Sequence, residues 1–192
     1  MSVAMRTPMT RDEFLIWEER QELRYEFDGW QPVAMTGGTV AHSIIKNNLH
    51  MAVGSRLRGT PCRFYFYGSD LKIETAHGIR YPDGFVACGG VEGDATVMRD
   101  PVVIFEVLSD STARTDLVTK NQEHAAIPSV RRYIVLAQES MAGTMFERVG
   151  DDWVGHLLAA GSVLRMPEIG IELALAELHE GVDFPAADRQ QS

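Results

Sequence analysis

The chain has 192 residues and a mass of 21.3 kDa, which suits one domain with a core large enough to need no staples. Its composition, 45% hydrophobic and 23% charged, excludes a disordered or collagen-like protein. Eighteen basic against 27 acidic residues give a net charge of −9, which argues against a generic DNA-coating protein but leaves room for an enzyme with a local basic groove.

The first residues carry charges and Pro8 but no apolar leader, and no apolar run is long enough to span a membrane. The two cysteines, Cys62 and Cys88, are too few for a disulfide scaffold and lack zinc-site spacing. A protein of the reducing cytoplasm is therefore expected. Thr10 and Glu13 form a capping box, predicting a short helix to about Arg20 with Phe14 and Trp17 inward. Residues 24–27 alternate as a strand. Asp28-Gly29 predicts a two-residue hairpin turn, and Pro32 marks the partner strand, 30–35, as an edge. Residues 39–58 show helical period, with Gly59 in the C-cap place.

Strands are expected at 62–67, 70–75, 79–81 and 84–88. Residues 101–108, PVVIFEVL, form a nearly continuous apolar run, the mark of a central strand buried on both faces. Ser109, Asp110, Ser111 and Thr112 offer N-cap chemistry for a helix reaching Ile127, and Pro128 ends it. A strand at 131–136 completes a crossover unit, so the sheet should be mixed. A meander at 143–149, 153–159 and 162–166, then a short helix at 173–179, close a domain over 1–184. A loose polar tail is expected at 185–192.

Glu106 is the only charge in its strand. A buried carboxylate is costly unless paired, protonated or facing a metal-binding cleft, and Arg131, Arg132 or Lys120 could pair with it structurally. Asp83 lies in Pro82-Asp83-Gly84, ordinary turn chemistry, but it opens a strand that could neighbour that of Glu106. Two carboxylates so placed can bind a hard divalent cation. Asp116, Lys120 and His124 share one helical face, either solvated or turned to the sheet end, where Lys120 could orient a nucleophile. Glu26 is an exposed strand glutamate or a further acid of the site. His42 is a polar residue near a helix start or a site contact. Ser109, Ser111 and Thr112 lack a nucleophile elbow, and no phosphate-binding glycine loop is present. Arg56, Arg58 and Arg63 could contact phosphate or form ordinary solvated surface.

The ordered set Tyr25-Glu26-Phe27-Asp28-Gly29, Ala41-His42-Ser43-Ile44-Ile45, Tyr81-Pro82-Asp83, Phe105-Glu106-Val107-Leu108-Ser109-Asp110-Ser111-Thr112, Lys120 and residues 127–135 resembles the Uma-two family of restriction-endonuclease-like proteins, within the PD-(D/E)XK nuclease superfamily. The resemblance covers residues 10–180. It implies a restriction-endonuclease-like α/β fold, a mixed β-sheet core flanked by α-helices, and Mg²⁺-dependent (Mn²⁺ as an alternative) hydrolysis of DNA phosphodiesters. Asp83 and Glu106 would be the metal-binding acids, and Glu26 and His42 match further family positions. The superfamily lysine belongs two residues after the acid, where this chain has Leu108; Lys120 on the next helix would replace it. The family often has tyrosine at His124 and tryptophan at Ile134. Double-strand cleavage would favour a homodimer. The rival readings are a catalytically silent nucleic-acid-binding or regulatory protein on the same fold, and a small-molecule hydrolase using the same metal.

Overall fold

The computed structural model describes residues 8–35, 37–66, 71–90, 92–108 and 115–184. The expected cap at 109–112 and the tail at 185–192 lie outside these residues. Helix α1 (Arg11–Glu18) begins at the expected capping box, with Thr10 and Glu13 bonded reciprocally. Strands β1 (Tyr25–Phe27) and β2 (Pro32–Ala34) form a hairpin with β2 at a sheet edge. The turn is longer than the predicted two residues. Phe27 pairs with Pro32, and the Asp28 carboxylate accepts the N–H groups of Trp30 and Gln31, so its own side chain organises a four-residue loop.

Helix α2 (Val40–Arg56) is capped by Thr39 and buries Ile45, Leu49 and Val53. After it come β3 (Cys62–Phe66), β4 (Lys72–Glu74), β5 (Ile79–Arg80), β6 (Gly84–Cys88), a two-residue β7 (Val97–Met98) and β8 (Pro101–Val107). A π-helical turn, Thr115–Lys120, runs into α3 (Asn121–Ala125) and then β9 (Arg132–Leu136). Strands β10 (Gly143–Val149), β11 (Asp152–Leu158), β12 (Val163–Met166) and β13 (Ile171–Ala174) precede α4 (Leu175–Leu178).

The large sheet has the order β11-β10-β9-β8-β6-β3. Strand β8 lies inside it, antiparallel to β6 and parallel to β9, which is the mixed α/β architecture expected. Alternation along β8 sends Val103, Phe105 and Val107 to the core beneath α2, while Ile104 packs with Phe85 and Tyr133 on the opposite face. Glu106 shares the parity of Ile104, and its strand neighbours fix the face on which its charge must find partners. A second sheet, β2-β1-β5-β4-β7, brings β1 and β5 beside this region.

Two further expectations are corrected. The helix after β8 is not one continuous α-helix; its 115–120 turn is widened, and it buries Asp116 and Lys120 in place of the solvated face considered for them. Widened turns of this kind are common at functional sites. The two cysteines, read as too few for a scaffold, form one cross-strand disulfide between opposed positions of β3 and β6. Among the described residues no helix is long and apolar enough to cross a membrane.

Candidate active site at the ends of β6 and β8

The sequence Tyr81-Pro82-Asp83-Gly84 leads straight into β6, whose Gly84 pairs with Phe105 of β8. A Cβ at Gly84 would run into the tip of the Phe64 ring, so glycine lets β3 close over this strand start without displacing that ring. Asp83 is thereby held against Glu106. The Asp83 N–H donates to Glu106 Oε2 at 3.3 Å, and Asp83 Oδ2 accepts the Val107 N–H at 2.8 Å. Helix α2 supplies the opposite wall: Lys46 Nζ lies 2.9 Å from Asp83 Oδ1, and His42 Nε2 lies 3.3 Å from Oδ2. Burial alone would raise the Asp83 pKa, but the hydrogen bond and charge of His42, the Lys46 ammonium and the Val107 N–H hold it at about 2.

Lys120 reaches the same place from the π-helical turn. Its ammonium is 2.9 Å from Glu106 Oε1, 3.0 Å from Glu26 Oε1 and 3.1 Å from Asp116 Oδ1. Burial disfavours an ammonium, yet Glu106, Glu26 and Asp116 outweigh it and push the Lys120 pKa well above its usual range. Lys120 is therefore a fixed cation and cannot serve as a base near neutral pH. Glu106 moves the other way from most ion-paired acids. Burial raises its pKa strongly; Lys120 offsets part of this, and the charges of Asp83, Asp116 and Glu26 add to it.

Further from the centre, Arg80 donates to both carboxylate oxygens of Glu123, at 2.7 and 2.6 Å, and lies 3.2 Å from Glu26 Oε2. The Tyr81 N–H also donates to Glu26, at 3.2 Å. Glu26 is thus a buried bridge between Arg80 and Lys120, not the exposed strand residue weighed from the sequence. His124 is fully buried and packs on Tyr133 with ring centroids 4.8 Å apart. Burial, with Lys120 and Arg80 nearby, lowers its pKa to about 3, so it is neutral. Of the pairs weighed for Glu106, Lys120 is the one formed; Arg132 instead pairs with Glu147 and Glu168.

All five sequence candidates, Glu26, His42, Asp83, Glu106 and Lys120, meet in one cluster. Sequence reasoning missed Lys46, Arg80 and Glu123. Lys46 stands one helical turn after His42 and Glu123 three residues after Lys120, spacings that place them on the faces already in use. Five carboxylates (Glu26, Asp83, Glu106, Asp116, Glu123) face three fixed cations (Lys46, Arg80, Lys120), leaving two negative charges uncompensated when His42 is neutral. Burial drives Glu106 toward its protonated form, and the neighbouring carboxylates of this excess add to it.

Asp83 and Glu106 offer carboxylate oxygens, the hard donors Mg²⁺ takes, and the charge excess equals that of one divalent ion. Among the described residues no group of three or more His, Cys, Asp or Glu is arranged to hold a metal. Two carboxylates still suit Mg²⁺, which keeps several waters and completes its shell with substrate phosphate. The residues present fit the ion on these grounds.

Strand order, the central β8 and the acid–lysine cluster at the ends of β6 and β8 together define a mixed α/β protein with a buried charged site at the ends of two central strands. The chain belongs to the Uma2 family, described as "Putative restriction endonuclease", whose model matches residues 11–176. It is 30% identical over 180 residues to the uncharacterized protein slr1290 of Synechocystis sp., covering 92% of this chain and 94% of that protein. It is 24% identical over 154 residues to sll1609 of the same organism, covering 79% and 87%. Its fold is similar to the crystal structure of a putative nuclease belonging to DUF820 from Anabaena variabilis, with a TM-score of 0.73, 18% identity, and coverage of 90% of this chain and 98% of the other.

Proposed function

We propose that this protein is a metal-dependent endonuclease that hydrolyses DNA phosphodiester bonds with Mg²⁺, or Mn²⁺ in its place, held by Asp83 and Glu106. The observation that carries the reading is the pair of carboxylates at the ends of adjacent strands, in a cluster with two uncompensated negative charges, beside a lysine that stays protonated. When bound, the ion would supply an activated water at neutral pH and neutralise charge on the phosphoryl oxygens.

This chain's own groups do the rest. The Lys120 ammonium, fixed by Glu26 and Asp116, orients the attacking water or stabilises charge that develops on the phosphorane. Arg80 holds Glu26 so that the lysine is not free to swing away. His42 and Lys46 fix the Asp83 carboxylate in its ionised form. Cleavage of both strands of a duplex needs two such sites, so the active species on duplex DNA is a homodimer.

Plasmid and oligonucleotide DNA incubated with Mg²⁺, Mn²⁺ or EDTA, using wild type and Glu106→Ala, tests the reading. Cleavage that needs the metal and is lost in the variant supports it. Absence of cleavage by wild type with either metal refutes it. One observation favours a second reading, a catalytically silent binding or regulatory protein: Glu106 is 4% exposed and its Oε1 is already taken by Lys120. That reading predicts DNA binding without hydrolysis in the same assay.

A further inference from the structure

Helix α2 carries a basic stripe past the site. His42 and Lys46 meet Asp83, and His50 follows at the same four-residue spacing. His50 lies edge-on to Phe66 at 4.5 Å and against Phe64 at 5.9 Å, and Phe66 pairs with Gly84, the neighbour of Asp83. Beyond this aromatic group a cleft of about 420 Å³ opens between the second half of α2 and β3. His50, Gly54, Arg58, Arg63 and Phe64 are among the residues that line it, and none of its lining residues is acidic. In a chain of net charge −9 that is a marked local reversal.

Neither Arg58 nor Arg63 has a carboxylate partner among the described residues, whereas Arg56 is engaged by Glu177 at 2.9 Å. Arg63 Nη1 is anchored on the carbonyls of Thr60 and Cys62, at 2.6 and 2.9 Å, which fixes its guanidinium at the rim. The His50 Nδ1 is buried with no hydrogen-bond partner. The backbone of Gly54 leaves open space where a side chain would stand. Basic groups beside partly exposed aromatic rings are what an unpaired nucleic-acid strand requires: charge for its phosphates and a face for its bases.

We propose that the α2–β3 groove holds the backbone of an unpaired nucleic-acid strand leading away from the Asp83–Glu106 site, with phosphates on Arg58 and Arg63 and a base against Phe66. The inference rests on the nuclease reading for where the strand leads, not for its grip in the groove. Phe66 is 44% exposed and offers a stacking face that only an unpaired base can use, so the flank held here is single.

The test is fluorescence anisotropy of a labelled oligo-dT strand in EDTA, titrated with wild type, Arg58→Gln/Arg63→Gln and Phe66→Ala over a series of salt concentrations. Loss of two phosphate contacts should weaken binding roughly tenfold or more and reduce the slope of log K against log salt by about 1.4. Phe66→Ala should weaken binding about tenfold and leave that slope unchanged. Thermal melting of each variant separates lost contacts from lost folding. Unchanged affinity and slope in the arginine variant overturn the inference, as does absence of strand binding by wild type or equal affinity for a duplex. Metal-dependent cleavage with no effect of the arginine pair on binding removes the groove alone. Strand binding through the groove without cleavage removes the nuclease reading and leaves the groove standing.

Discussion

Replacing Glu106 by Gln separates a metal ligand from a structural ion-pair partner. If Glu106 existed to neutralise Lys120, its loss would strand a buried cation at a cost of about 3–5 kcal/mol. The structure argues otherwise, because Lys120 keeps Glu26 at 3.0 Å and Asp116 at 3.1 Å. The raised pKa of Glu106 sets the sign with pH. Its folded value lies above the unfolded one, so the folded state holds the proton more tightly. Wild-type stability then falls as pH rises above the unfolded carboxylate value, and the amide shows no such loss. Each unit of difference is worth about 1.4 kcal/mol, or roughly 3–6 °C in Tm for a chain of this size. Without metal, Glu106→Gln should therefore melt above wild type near ~pH 8, by this amount for each unit by which the two states differ, and the gap should close near ~pH 4. Mg²⁺ at about 100 times its Kd should stabilise wild type by about 2.7 kcal/mol and the variant far less. Circular-dichroism melts in EDTA and in Mg²⁺ across this range read both effects. A loss of 3–5 kcal/mol at alkaline pH with an unchanged Mg²⁺ response would refute the reasoning.

Lys120→Met removes the ammonium shared by three carboxylates and should cost about 3–5 kcal/mol while abolishing cleavage and sparing Mg²⁺ affinity, as calorimetry would show. His124 has a folded pKa of about 3, so its contribution is complete above its unfolded value near 6.5 and is lost as pH falls. His124→Phe keeps a ring against Tyr133, and its stability relative to wild type should rise by about 2–3 kcal/mol between ~pH 6.5 and ~pH 4.5, measured by urea unfolding. The Cys62–Cys88 bridge closes a sequence separation of 26, so reduction should lower stability by about 3–4 kcal/mol in the same assay. No shift on adding reductant, in protein shown by thiol labelling to begin oxidised, would count against a stabilising crosslink.

The parts of the site legible in the sequence are those in which one residue breaks a local pattern. Glu106 interrupts an apolar strand, and the crossover helix that follows must return over the end of that strand, which brings Lys120 to it. Arg80 and Glu123 break no pattern. A two-residue strand and a short helix carry them, and only the packing of the small sheet against α3 makes them a buried pair. Asp116 and His124 share a helical face with Lys120, yet spacing alone does not reveal whether that face meets water or the sheet. The same limit applies to the fold. The central strand, helix α2 and the crossover from β8 to β9 follow from period and apolar content, whereas β7 is too short to carry a pattern. The hairpin at Asp28 exceeds a two-residue turn because the aspartate side chain, together with Gly29 at positive φ, sets a longer loop.

The central claim is that Asp83 and Glu106 together hold a divalent cation. Crystals soaked in Mn²⁺ and recorded at its absorption edge test it most directly. The account predicts an anomalous peak bonded to carboxylate oxygens of both residues in wild type and its disappearance in Asp83→Asn. A well-diffracting soaked crystal with no peak there, or with its only peaks elsewhere on the surface, would contradict it.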